Sequence, residues 1–173
     1  MSVAARRTTG PRRGVIRGVV LFVVALGVLY IADGSRQPTS GSGWQIVGYQ
    51  RGLGEPNTVV AVPDQAALAA AWEKLRLHGL PAADFARTAV YWFTGVGSVG
   101  CPAHFAGIRI DAGRRTLAAV LTGALTAGCD ARRVADSFIV AIDRERLPPP
   151  PYRVLLADPL PPDAPAAQIE VTG

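Results

Sequence analysis

One stretch limits what this chain can become more than any other. Residues 18–32, GVVLFVVALGVLYIA, carry no charge and follow a basic flank without a break. Arg17 can snorkel, so the apolar run effectively begins at Val15, and a helix of about 18 residues spans roughly 27 Å, enough for a thin bilayer. Arginines 6, 7, 12, 13 and 17 flank only its N-terminal side. That asymmetry holds residues 1–17 in the cytoplasm and sends everything after the run across the membrane. A buried core helix is the competing reading, but it would be polar nowhere and preceded by an unstructured arginine-rich lead. The lipid bilayer is therefore the expected partner of residues 18–32.

An uncleaved signal anchor is favoured over a removed secretory peptide, because Ala32-Asp33-Gly34 is only a passable small-residue cleavage site. Cleavage would leave a secreted domain instead. No cysteine follows the run closely enough to take a lipid, and the order Arg12-Arg13-Gly14-Val15-Ile16-Arg17 is similar to a twin-arginine export signal.

The overall charge of +5 suggests a nucleic-acid binder until it is located along the chain. Five of the 18 basic residues lie before Gly18 and all 13 acidic residues lie after it, so the exported part is balanced. No excess remains to displace counterions from a phosphate backbone, and nucleic acid is excluded as a partner.

Beyond the anchor, residues 33–43 (DGSRQPTSGSG) read as a flexible polar linker. Residues 44–158 are long enough for one domain with its own core. Aromatic and β-branched runs at 44–50, 58–62, 88–93, 105–110, 116–121, 137–142 and 152–156 read as seven strands. The short Gly113-containing connection between the fourth and fifth predicts a hairpin. One helix is clear over about residues 64–78. Asp64 is its N-cap, Leu68, Ala71, Trp72 and Leu75 share a face, and Gly79 stands just past its end. The fold class expected is α+β, a mostly antiparallel sheet with one main helix. Residues 159–173 are rich in Pro, Ala and Asp and read as a mostly disordered tail with a weak strand near 168–172.

Cys101 and Cys129 are the only cysteines, and both lie beyond the anchor. In an oxidising compartment an even count favours pairing, so a structural disulfide is expected. Two functional readings compete with it. A reduced Cys101 with His104 could form a nucleophile pair. Cys101, His104, Cys129 and His78 could hold a metal, but Cys129 lacks a second ligand at the right spacing and His78 suits the end of the helix. No metal site is expected.

Gly95-Val96-Gly97-Ser98-Val99-Gly100 matches the dinucleotide fingerprint letter for letter. That chemistry needs a following helix to hold the pyrophosphate and an acidic residue about 20 positions on. Cys101-Pro102 and a strand pattern follow instead, so the stretch reads as a flexible loop and no cofactor is expected. Gly95, Gly97, Ser98, Gly100 and His104 are the candidate partner-binding loop. Asp84, Asp111, Asp130 and Asp136 all sit beside turns and read as solvated carboxylates. Ser98 lacks a nucleophile elbow, so no catalytic set emerges.

An apolar strand leading into Asp64-Gln65-Ala66-Ala67-Leu68 and Trp72-Glu73-Lys74-Leu75, then Asp84-Phe85, the strand at 89–93 and a glycine-rich stretch, resembles the PrcB-type, protease-complex-subunit-like domains of bacterial envelope proteins. The likeness runs over roughly residues 59–156. Those domains usually carry a Thr-Gly-Gly-Tyr-like stretch where this chain has Gly100-Cys101-Pro102-Ala103-His104-Phe105. The resemblance implies a non-catalytic binding or accessory role at the cell envelope, with a protein partner and no catalytic residues to transfer. The expected function is thus a membrane-anchored extracytoplasmic protein-binding module. Its alternatives are a hydrolase or thiol enzyme using Cys101 and His104, and a structural envelope component.

Overall fold

A computed structural model describes residues 39–123, 129–130, 132–157 and 167–172. The expected anchor at 18–32 lies outside them, and among the described residues no helix is long and apolar enough to cross a membrane. Among the described residues, nine strands and one α-helix follow in the order β1 (Ser40–Gly41), β2 (Trp44–Arg51), β3 (Thr58–Val62), α1 (Gln65–Lys74), β4 (Thr88–Ser98), β5 (His104–Asp111), β6 (Thr116–Thr122), β7 (Arg133–Asp143), β8 (Tyr152–Ala157) and β9 (Gln168–Val171). The fold is mostly β with one helix, as the strand and helix patterns predict.

The strands form two sheets rather than one. The first runs β1-β2-β7-β4-β3 and is antiparallel throughout; the second runs β5-β6-β8-β9. β5 and β6 make the predicted hairpin. β6 and β8 are parallel, because β7 crosses to the first sheet between them. β1 falls within the expected linker, where Ser40 and Gly41 pair with Gln45 and Trp44 across a short turn. β9 occupies the weak strand position of the tail and pairs with β8.

The sheets pack face to face around a core that alternates along each strand. Ala89, Tyr91 and Phe93 of β4 and Phe138, Val140 and Ile142 of β7 meet Phe105 of β5 and Leu117, Ala119 and Leu121 of β6. Phe105 stands between Phe93 and Phe138, with ring centroids 6.1 and 5.6 Å away. Such packing of large rings contributes more than area burial alone. At the end of the core, the Tyr91 and Tyr152 hydroxyls share a 2.6 Å hydrogen bond, and burial followed by that bond raises the Tyr91 pKa.

The opposite face of the first sheet carries α1. Leu68, Ala71, Trp72 and Leu75 pack on Val62, Val90, Trp92 and Ile139, which is the predicted helical face. Asp64 caps the helix through the Ala67 amide at 2.8 Å. The helix stops at Lys74, earlier than the expected residue 78. Arg76, with φ of 52°, takes the left-handed position assigned in advance to a glycine. Its N–H reaches the Glu73 carbonyl at 2.9 Å and the Leu77 N–H reaches Trp72 at 3.0 Å. That is the paired closure of a Schellman motif, built on a non-glycine residue.

Candidate functional site

Local sequence pattern begins the site at β2. Trp44 and Ile46 pair with Ile142 and Val140 and face the second sheet, but the register then slips by one between Ile46 and Gly48. A β-bulge of this kind re-aims the side chains that follow it. Tyr49 therefore pairs with Phe138 and stacks on its ring at 5.1 Å, and Arg51 pairs with Asp136. Without the bulge, both would point toward α1.

Asp136 lies in β7, fully buried, on the same face as Phe138, Val140 and Ile142. This corrects the sequence expectation: it is not a solvated turn carboxylate. A buried carboxylate needs partners, and it has them. The Tyr49 hydroxyl donates to Oδ1 at 2.9 Å, the Ala103 amide donates to Oδ2 at 2.9 Å, and the Arg51 Nε lies 3.8 Å from Oδ1. The Arg51 guanidinium also donates to the carbonyls of Ser98 and Val99, the latter at 3.0 Å. Burial of the Tyr49 ring, then its bond to the Asp136 carboxylate, push the phenol up to about 12.

These bonds clamp the segment between β4 and β5. Ser98 and Cys101 exchange backbone hydrogen bonds of 2.8 and 3.1 Å, closing a tight turn. Cys101 is disulfide-bonded to Cys129, with Cα atoms 5.8 Å apart. The expected pairing is present, and a structural disulfide is consistent with an extracytoplasmic setting. Since both sulfurs are bonded, neither the thiol pair with His104 nor a thiolate metal site forms in this state. Among the described residues no three His, Cys, Asp or Glu side chains gather as metal ligands.

The candidate partner-binding loop divides in two. Gly95, Gly97 and Ser98 are not in a flexible loop but in β4, buried and paired with Asp136, Val134 and Arg133. Glycine is needed at 97 for close approach. A Cβ there would stand 2.6 Å from both the Ala103 nitrogen and Asp136 Oδ2, and 2.8 Å from the Cys101 carbonyl oxygen. At 95 a Cβ would collide with Leu121 of the facing sheet. Gly100 is exposed in the turn beside Val99, and His104 is half-buried at the start of β5.

Asp84, Asp111 and Asp130 behave as turn carboxylates should. Each accepts a backbone N–H two or three residues ahead, at 3.1, 2.9 and 2.8 Å respectively. The Ser98 hydroxyl is buried and has no hydrogen-bond partner among the described residues, so none of them is placed to act as its base.

Sequence reasoning missed Asp136, Tyr49 and Arg51. The signal was present in part: the alternation Phe138, Val140, Ile142, continued two residues back, lands on Asp136. No family model matches the chain, and no curated protein or solved structure matches it either.

Proposed function

We propose that this chain is a membrane-anchored, extracytoplasmic protein-binding module of the cell envelope that performs no chemistry of its own. The observation that carries this reading is the use to which the polar groups are put. Asp136, Tyr49 and Arg51 converge as a catalytic set would, yet their bonds go to one another and to the backbone of the 98–103 turn. Val99 and Tyr49 stand beside that turn with 44% and 40% of their surface exposed. Apolar side chains on a rigid, cross-linked frame suit docking, because little ordering entropy is lost on binding. The disulfide counts against a thiol enzyme, since Cys101 has no thiolate to offer while the bond is intact.

The test is crosslinking in native membranes followed by affinity recovery of the full chain. The expected result is a reproducible, stoichiometric protein partner whose recovery falls with Val99→Asp. A purely structural component would give no such band. A thiol enzyme would instead show Cys101 alkylated in the native protein without reductant.

A further inference from the structure

Sheet edges present unpaired backbone groups, and proteins blunt them with charge, proline, bulges or shortness. Three of the four edges here are blunted in those ways. β1 has two residues, β5 is bulged between Phe105 and Gly107 and carries Arg109, and β9 is four residues long and contains Glu170. β3 is different. Its sequence, TVVAV, has no charge and no proline, among the described residues it is hydrogen-bonded only to β4 although β8 and β9 of the second sheet pack near it, and its Val60 and Ala61 are exposed. Among the described residues no other backbone hydrogen bond reaches it.

Beside this edge, on the α1 side, lies a groove of about 240 Å³ lined by Val60, Val62, Ala67, Ala70, Lys74 and Trp92. Val60 is the direct cross-strand neighbour of Trp92. Trp92 is more than nine-tenths buried, yet its indole Nε1–H finds no acceptor among the described residues. Buried donors are normally matched, so an orphan beside a groove calls for explanation. The Lys74 ammonium sits 5.3 Å from the centre of the same ring and has no carboxylate within ion-pair distance among the described residues.

We infer that β3 is the docking edge for an extended segment of a partner protein, which adds as a sixth strand and places a glutamate in the groove against Lys74 and Trp92. Main-chain pairing supplies affinity in such additions, and the side-chain pocket supplies selectivity. An added strand lies two strand spacings, roughly 9.5 Å, from β4. Only a long side chain reaches the groove from there, and a carboxylate is the group to which the Lys74 ammonium can donate. A second copy of this chain, pairing β3 with β3, would bring only Thr, Val and Ala and leave the ammonium without a carboxylate. The inference rests on the binding-module reading and adds a second contact surface, the β3 edge, to the one formed by Val99 and Tyr49.

The probe is a library of blocked heptapeptides with apolar residues at alternate positions and Glu, Gln, Asp or Lys at the centre, titrated against the full chain in detergent. Glu-centred peptides should bind and slow hydrogen exchange at the β3 amides. Replacing that Glu by Gln should weaken binding about tenfold, as expected for loss of a charge-assisted bond. Lys74→Glu should reverse the preference toward Lys-centred peptides, and Val60→Lys should abolish binding with thermal stability intact. Absence of any binder at millimolar peptide, or Glu preference that survives Lys74→Glu, overturns the inference. So does a concentration-dependent dimer removed by Val60→Lys, which would assign the edge to self-association. If crosslinking recovers a partner that Val60→Lys does not disturb, this inference fails while the binding-module reading stands; recovery of no partner removes both.

Discussion

Two regions of the first sheet, around Asp136 on the central strand and around Trp92 beside the β3 edge, treat their polar groups in opposite ways. Around Asp136, Tyr49, Arg51 and the Ala103 amide supply the carboxylate's partners, and a disulfide joins the flanking loops. Around Trp92, among the described residues, an indole N–H has no acceptor, Lys74 has no carboxylate partner, and β3 has no hydrogen-bonded strand on its outer side. The contrast is physical. A matched buried network specifies one rigid arrangement, whereas an unmatched buried donor carries a desolvation cost. On the proposed reading, one region is a frame and the other an opening.

If Asp136 organises the frame, removing it should do the largest damage. Asp136→Ala would leave a buried amide, a part-buried phenol hydroxyl and a partly buried guanidinium without the carboxylate, and should lower stability by about 3 kcal/mol in urea unfolding. The double change Cys101→Ser with Cys129→Ser follows, at about 2–4 kcal/mol, because it releases a cross-link between residues 28 positions apart. Gly97→Ala should cost about 2 kcal/mol through overpacking against Ala103 and Asp136, although alanine usually favours a strand over glycine.

The frame also predicts a pH dependence. The Tyr49 phenol is held at about 12 when folded against 10.0 for its ordinary value, so its contribution is fully present below pH 10 and lost as pH rises from 10 to 12. The ring is partly exposed, which moderates the effect. Tyr49→Phe should flatten the stability profile in that window without abolishing it, since Tyr91 is shifted in the same direction. At the opening, by contrast, Val60→Lys should change stability by less than about 0.5 kcal/mol. A large loss there would mean that β3 is part of the frame after all.

Local features of this fold were legible in the sequence and long-range ones were not. The Asp64 cap, the apolar face of α1 and the β5–β6 hairpin each depend on a few neighbouring residues, and each formed where the pattern predicts. The disulfide was legible from cysteine count and compartment. The splitting of the strands into two sheets was hidden, because alternation shows which face is apolar and not what covers it. Gly95 and Gly97 were misread as a loop for a related reason: missing side chains look like flexibility along the chain, but in β4 they admit Leu121 and the Cys101 turn. Asp136 was hidden because its main side-chain partner, Tyr49, is 87 residues away and is aimed at it by a bulge.

Residue-resolved hydrogen exchange on the partner-free full chain measures the frame and the opening together. The Ala103 amide, which donates to buried Asp136, should exchange only with global unfolding, while the outward-facing amides of β3 exchange orders of magnitude faster. Rapid exchange at Ala103, or β3 amides all as slow as those of β4, would contradict the division of the domain into a locked region and an open one.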